Sequence, residues 1–168
     1  MINLESLNGL FTIHHLCQED IQLLSDLKVK KKEGYGLQYY LQNIAYRDEL
    51  DGIARTYLIK DGDCIVAYFT LRTGLLTVSR GLFKGFDTYT GIELANFAVN
   101  DDYREGHDDI PKLGSYIFAK FILPLIKEIS LYVGAKILYI YALPHNKLMS
   151  HYEKMGFKTV SGKPEKFI

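Results

Sequence analysis

Glu93 is the one acid inside the apolar string Ile92-Glu93-Leu94-Ala95-Asn96-Phe97-Ala98-Val99. A carboxylate in a strand can serve as a general base, and it can equally face solvent or pair with Arg55 or Arg72. Gly114-Ser115 open a long apolar stretch, and the amides at the start of a helix favour anions. A lone glycine there is by itself more often a turn. His14-His15 lie on opposite sides of an extended segment, so both cannot readily bind one metal. His107-Asp108-Asp109 could bind a cation, although a solvated loop is the expectation. The basic run Lys28, Lys30, Lys31 and Lys32 could touch RNA, but it sits where a frayed, solvated helix end is expected. Cys17 and Cys64 lack metal-ligand spacing and are too few for a disulfide framework, so both are expected to be free, buried thiols. No metal site is expected.

The elements that must position these groups follow from periodicity. Phe11 to Leu16 alternates like a strand, and Asp20 to Val29 carries Ile21, Leu24 and Leu27 at helical spacing. Leu37, Tyr40, Leu41 and Ile44 form a second helical stripe. Thr56 to Ile59 and Cys64 to Leu71 read as strands joined by an Asp61-Gly62 hairpin turn. Ser79 to Thr90 reads as a connection, Ile92 to Val99 as a strand and Asn100 to Pro111 as a loop. Lys112 to Val133 is a helical stretch that Pro124 should kink or split, with Gly134 as its cap. Ala135 to Leu143 has the near-continuous apolar character of a strand buried on both faces. Asn146 to Met155 is a closing helix ending at Gly156, and Phe157 to Val160 a last strand. The order implies an α/β chain with a mixed sheet and helices on its faces.

Composition excludes several classes of function. The 168 residues are 48% apolar and 24% charged, which fits one globular domain spanning 1–168. With 20 basic and 20 acidic side chains there is no global field toward nucleic acid or anionic membranes. The charge is uneven, however. Residues 112–168 hold 9 basic and 3 acidic groups, so an anionic ligand would favour the C-terminal third. No apolar run approaches the roughly 18 residues of a membrane span, and no secretory signal is found, so a cytoplasmic location is expected.

Over about residues 37–160 the sequence resembles the GNAT family of acyl-CoA-dependent N-acetyltransferases. His151-Tyr152-Glu153-Lys154-Met155-Gly156-Phe157 is similar to the family's Tyr-Glu-Lys-x-Gly-Phe helix-to-strand junction. Glu93 to Val99 followed by Tyr103-Arg104 is similar to its fourth strand and the start of its cofactor loop. Gly114-Ser115 open a helix that ends at Gly134-Ala135-Lys136 before a buried strand, as in the family. The resemblance implies a mostly antiparallel sheet with helices on both faces and an acyl-CoA cleft splayed between the fourth and fifth strands. It makes acetyl-CoA the co-substrate, with its pantetheine against the backbone of Phe97, Ala98 and Val99. The pyrophosphate would lie at Leu113, Gly114, Ser115 and Tyr116, with Lys112 and Arg104 nearby. Asn146 would bond the pantetheine arm, with His145 as its competitor because Asn146 stands one residue closer to the tyrosine than the family's usual asparagine. The family's phosphate motif is degenerate here: Lys112 stands where its first glycine belongs and Asp109 where its Gln or Arg belongs, and Glu105 to Asp109 bring three acids near the cradle.

Acetyl transfer to an amine needs the nitrogen unprotonated and a proton for the departing thiolate. The resemblance gives Glu93 the role of base and Tyr152 that of acid; tyrosine, with an ordinary pKa of about 10, is protonated at neutral pH without tuning. The acceptor is an unidentified small-molecule or peptide amine. Leu37 to Leu41, Ala54-Arg55-Thr56-Tyr57 and Ala67-Tyr68-Phe69-Thr70-Leu71 resemble the bacterial toxin branch of the family. That branch acetylates the α-amine of aminoacyl-tRNA, which makes tRNA and an antitoxin subordinate candidate partners. A non-catalytic acyl-CoA-binding or protein-interaction module is the alternative from another class, and a homodimer is an open possibility through an exposed sheet edge.

Overall fold

The computed structural model describes residues 9–80, 85–108, 110–142 and 146–160. Five strands form one sheet in the order β1-β2-β3-β4-β5. They are β1 (Thr12–His15), β2 (Arg55–Asp61), β3 (Cys64–Ser79), β4 (Phe86–Val99) and β5 (Ile137–Tyr139). Neighbours from β1 to β4 are antiparallel, and β5 joins β4 in parallel. The β2–β3 hairpin expected from sequence is present, with its turn shifted by one residue. Asp61 pairs with Cys64, so the loop is Gly62-Asp63. Gly62 has φ 56° and Asp63 does not share the positive φ, the pattern of a type II′ turn.

Within the connection expected over Ser79 to Thr90, Ser79 and Phe86 to Thr90 are strand instead. Beyond Gly74↔Gly91, β3 and β4 continue as a two-stranded ribbon from Leu75↔Thr90 to Ser79↔Phe86. Threonines recur along both strands, and Thr77 and Thr88 share a hydroxyl contact of 3.1 Å; an Arg80–Asp87 ion pair closes the described part of the ribbon. β-Branched residues favour such pairing even without a buried face.

Side-chain alternation sends neighbours to opposite faces. Leu58, Ile65, Tyr68 and Ala98 pack with Leu24, Leu27, Leu41 and Ala45 beneath a 3₁₀ segment (Gln18–Asp26), α1 (Tyr35–Asn43) and α2 (Ala45–Leu50). Ile59, Phe69, Leu71, Ile92 and Leu94 pack on the other side against Tyr116, Ile117, Ile122 and Ile126. That second layer is α4 (Leu113–Ile117), a π-helical turn (Phe118–Ile122) and α5 (Leu123–Tyr132), which run on from one another. The expected break at Pro124 is thus absorbed. The Leu123 N–H reaches back to the Phe118 carbonyl, a widened turn that accommodates a residue with no N–H of its own.

Other departures have local causes. Asn100 to Pro111, expected as a loop, contains α3 (Asp101–Gly106), because the Asn100 side chain caps it by accepting from the Asp102 N–H at 3.2 Å. The Asp20 to Val29 helix winds as the tighter 3₁₀ form over Gln18–Asp26. α5 stops at Tyr132 with Val133 extended, so Gly134 is not its cap. β5 is three residues long and only partly buried, not the fully buried Ala135 to Leu143 strand; Leu143 lies outside the described residues. α6 (Asn146–Lys154) is present with Gly156 at φ 97° after it, but 157–160 pairs with no strand. The two thiols are free and exposed rather than buried. Among the described residues, no helix is long and apolar enough to cross a membrane. The tail Lys163 to Ile168 lies outside them.

The N-terminal layer is fastened to the sheet by buried charge. Asp20 accepts from Lys60 Nζ at 2.6 Å, the Cys17 N–H at 3.0 Å and His14 Nε2 at 3.0 Å. Burial works to raise the Asp20 pKa, and these bonds overcome it, holding the carboxyl well below the usual range. Asp20→Asn leaves Lys60 buried without its counter-charge and is expected to cost about 3 kcal/mol in urea unfolding at pH 7. Because the folded pKa is depressed, the wild type keeps this increment above about pH 4 and loses it as the pH falls further. The variant's lower stability should approach the wild type's in acid.

Candidate active site

β4 carries one extra residue, Ala95, between Leu94↔Leu71 and Asn96↔Thr70. A bulge of this kind bends its strand. The parallel ladder with β5 ends just before it, covering only Gly91↔Ile137, Ile92↔Leu138 and Glu93↔Tyr139. From Leu94 to Val99, β4 therefore has β3 along one edge and, among the described residues, no strand along the other. The backbone groups of Phe97, Ala98 and Val99 lie on this open stretch.

The start of α4 sits at the far end of it. A Cβ on Gly114 would meet Val99 Cγ2 at 3.6 Å and Phe97 Cζ at 4.0 Å, so Gly114 lies against the strand residues that border the opening. Lys112, just before α4, has φ 58° and ψ 36°. This is the left-handed conformation that glycine adopts freely, at the position where the resemblance leads one to expect a glycine. Leu113 and Tyr116 turn their side chains into the core, Tyr116 edge-on to Phe11 and Phe121, so only their backbones could serve a ligand. Ser115 is half-buried and Lys112 exposed.

At the closed end of the opening, Glu93 is buried and both of its oxygens accept from Arg72. Arg72 Nε donates to Oε2 and Nη2 to Oε1, each at 2.8 Å. Of the two arginines proposed as partners from sequence, Arg72 is the one found; Arg55 pairs with Glu49. Tyr139 joins this row from β5. Burial, followed by the nearby Glu93 charge, pushes its phenol up. Its ring crosses β4 at Gly91 and reaches β3, where a Cβ on Gly74 would stand 2.1 Å from its hydroxyl. Tyr139 belongs to no contiguous motif; the facing glycines, Gly74 and Gly91, are its signal in the sequence.

Tyr152 is half-buried on α6, edge-on to Phe157 at 5.7 Å, and Phe157 in turn leans on Phe118 of the π turn. Burial raises its pKa above the ordinary tyrosine value, which keeps its proton on at neutral pH. Asn146 begins α6. Arg104 lies on α3 and pairs with Asp101 at 2.6 Å. The acids between Arg104 and the helix start are partly accounted for: Glu105 pairs with Lys30, as does Asp102 at 2.8 Å. Asp108 is exposed, and Asp109 lies outside the described residues. His107 stacks on Tyr103 at 4.0 Å and bonds the Tyr103 carbonyl through Nδ1.

The lysine run is no frayed helix end. Asn100 and Asp101, buried where β4 finishes, stitch it to the sheet. Lys28 N–H donates to Asn100 Oδ1 at 3.2 Å, Lys30 N–H to Asp101 Oδ2 at 2.7 Å, and Asn100 Nδ2 donates to the Ile65 carbonyl at 2.8 Å.

The sequence matches no protein-family model and no curated protein, whereas the fold matches solved structures over nearly the whole chain. A tyrosine-to-phenylalanine mutant of the AtaT toxin, bound to the C-terminus of the antitoxin AtaR and acetyl-CoA, superposes with TM-score 0.66 at 18% identity, covering 93% of this chain and 89% of that one. A tyrosine-to-phenylalanine mutant of KacT gives 0.70 at 16%, covering 92% and 90%. AtaT complexed with acetyl-methionyl-tRNAfMet gives 0.68 at 18%, covering 92% and 91%. The chain thus has the GNAT-like fold expected from its sequence, shared with these proteins.

Two substitutions test the geometry. Gly91→Ala would bring a Cβ to 2.7 Å from the Ile137 carbonyl oxygen, and is expected to destabilise by about 1–3 kcal/mol in denaturant unfolding as β5 is forced off β4. Lys112→Gly should instead stabilise by about 0.5–1 kcal/mol, the relief of a left-handed side chain less the entropy glycine adds to the unfolded chain.

Proposed function

We propose that this chain is an acetyl-CoA-dependent N-acetyltransferase whose cleft is the open edge of β4. The observation that carries this reading is that a strand edge unpaired among the described residues, Leu94 to Val99, ends at a left-handed turn opening a helix. An extended pantetheine arm can pair with such an edge as an added strand would. The start of the helix offers amides to a pyrophosphate, and Lys112 offers its charge. The AtaT complexes with acetyl-CoA and with acetyl-methionyl-tRNAfMet, on the same fold, support the assignment.

Acetyl-CoA supplies an activated thioester, and the chain's residues supply position and protons. From Val99 to Glu93 the strand spans roughly 20 Å at about 3.3 Å per residue. Phosphates held at the Val99 end therefore put the reacting end near Glu93. Tyr152, kept protonated by burial, is the acid for the departing sulfur. Both Glu93 oxygens are engaged by Arg72; we assign the pair to holding the apex and let the amine enter neutral. This favours an acceptor of low basicity. At pH 7.5 about a third of an α-amine is neutral, against roughly 0.1% of a lysine side chain.

An α-amine acceptor also brings the second reading, a toxin-like enzyme acting on aminoacyl-tRNA, which the AtaT complex with acetyl-methionyl-tRNAfMet favours. Growth arrest on expression of the chain alone is its expected consequence, and unimpaired growth would count against it.

Calorimetric titration with acetyl-CoA tests the main reading. Micromolar binding is expected, abolished in Gly114→Glu, whose carboxylate would project from the helix start beside Val99 and Phe97. Absence of binding by the wild type would contradict it. Tyr152→Phe should keep that affinity and lower kcat about 10²–10³-fold; an unchanged kcat would remove Tyr152 from the chemistry.

A further inference from the structure

We propose that Arg72 is the acceptor-reading residue of the cleft: its free guanidinium edge binds an oxyanion, phosphodiester or carboxylate, carried next to the amine that receives the acetyl group. The inference rests on the acetyltransferase reading above and adds to it a chemical requirement on the acceptor. Arg72, Glu93 and Tyr139 form a single row across β3, β4 and β5. That row is the last rung before the strands part, so it borders the reacting end of the cleft.

Along this row the burial is unequal. The Glu93 side chain is 7% exposed and that of Arg72 46%. Glu93 takes Nε and Nη2, and Nη1 has no partner among the described residues. The buried carboxylate thus fixes the guanidinium plane and turns the remaining N–H donors outward. Arginine's fork binds carboxylates and phosphates in a matched geometry, and an immobilised fork loses little entropy on doing so. Stability alone gives no reason for the pair. The Glu93 side chain is buried, and a buried ion pair gains little over well-packed apolar residues. Since Glu93 neutralises Arg72, recognition comes from aimed donors rather than net charge.

The test compares three acceptors with one α-amine: methionine methyl ester, which has no oxyanion, free methionine, with a carboxylate, and methionyl-tRNA, with a phosphodiester. Transfer is measured with the full chain and with two variants. Arg72→Lys keeps the charge without the fork. Arg72→Gln combined with Glu93→Gln leaves no buried charge unpaired, and acetyl-CoA affinity confirms that each variant is folded. The wild type should prefer one of the anionic acceptors to the ester. For that acceptor the double variant should raise KM roughly tenfold or more beyond any change it causes with the ester, the worth of a charged hydrogen bond, with Arg72→Lys in between. Which acceptor responds identifies the oxyanion. Equal losses for ester and anionic acceptors, or no wild-type preference, would overturn the proposal while leaving the acetyltransferase reading in place. Wild-type protein that transfers to none of the three and does not bind acetyl-CoA would remove that reading, and the acceptor subsite with it.

Discussion

The parallel ladder between β4 and β5 ends at Glu93↔Tyr139, and the position of that last rung governs what the molecule can bind. Two glycines facing each other across β3 and β4, Gly74↔Gly91, leave room for the Tyr139 ring to lie over both strands and clamp β5 in place. Immediately beyond, the Ala95 bulge bends β4. The two strands are held together on one side of this row and released on the other. An unpaired edge inside a sheet is ordinarily a liability. Here it is short, bordered by a helix start at one end and by a half-buried ion pair at the other, which suits it to an extended ligand rather than to another chain.

The surroundings keep that edge in place without covering it. Asn100 and Asp101 tie the end of β4 to the backbone of Lys28 and Lys30 and to Ile65, fixing where the strand stops. The helix that begins at Leu113 runs through the π turn to Tyr132, so its start is anchored by the whole layer packed on the sheet. Lys112 in a left-handed conformation shows how strongly that layer dictates the turn: a lysine is held where glycine would be easier.

The frame was legible in the sequence wherever pattern and chemistry are local. Gly62 beside the alternating runs 56–59 and 64–71 announced the hairpin, and the spacing of Leu37, Tyr40 and Leu41 announced α1. The resemblance carried by Glu93 to Val99, Gly114-Ser115 and the Tyr152 to Phe157 junction led to the right fold. What failed depended on distant partners. The apolar run after Ala135 reads as a long buried strand, but β4 bends away after three paired residues. Asn100 to Pro111 reads as loop because its polar residues suit loops, yet Asn100 caps a helix and binds a segment 72 positions earlier. The lysine run is exposed as expected, but it is no frayed end, because Asn100 and Asp101, which hold its backbone, are far away in sequence. Arg72 was foreseen only as a possible partner of Glu93, and Tyr139 not at all, since neither belongs to a contiguous motif.

The central claim is that the open edge of β4 is the place where acetyl-CoA binds, and amide hydrogen exchange with and without acetyl-CoA addresses it most directly. The account predicts slowed exchange confined to the Leu94 to Val99 edge and to the amides of Leu113, Gly114 and Ser115. Slowed exchange elsewhere in the chain, with these amides unchanged while acetyl-CoA is bound, would contradict it.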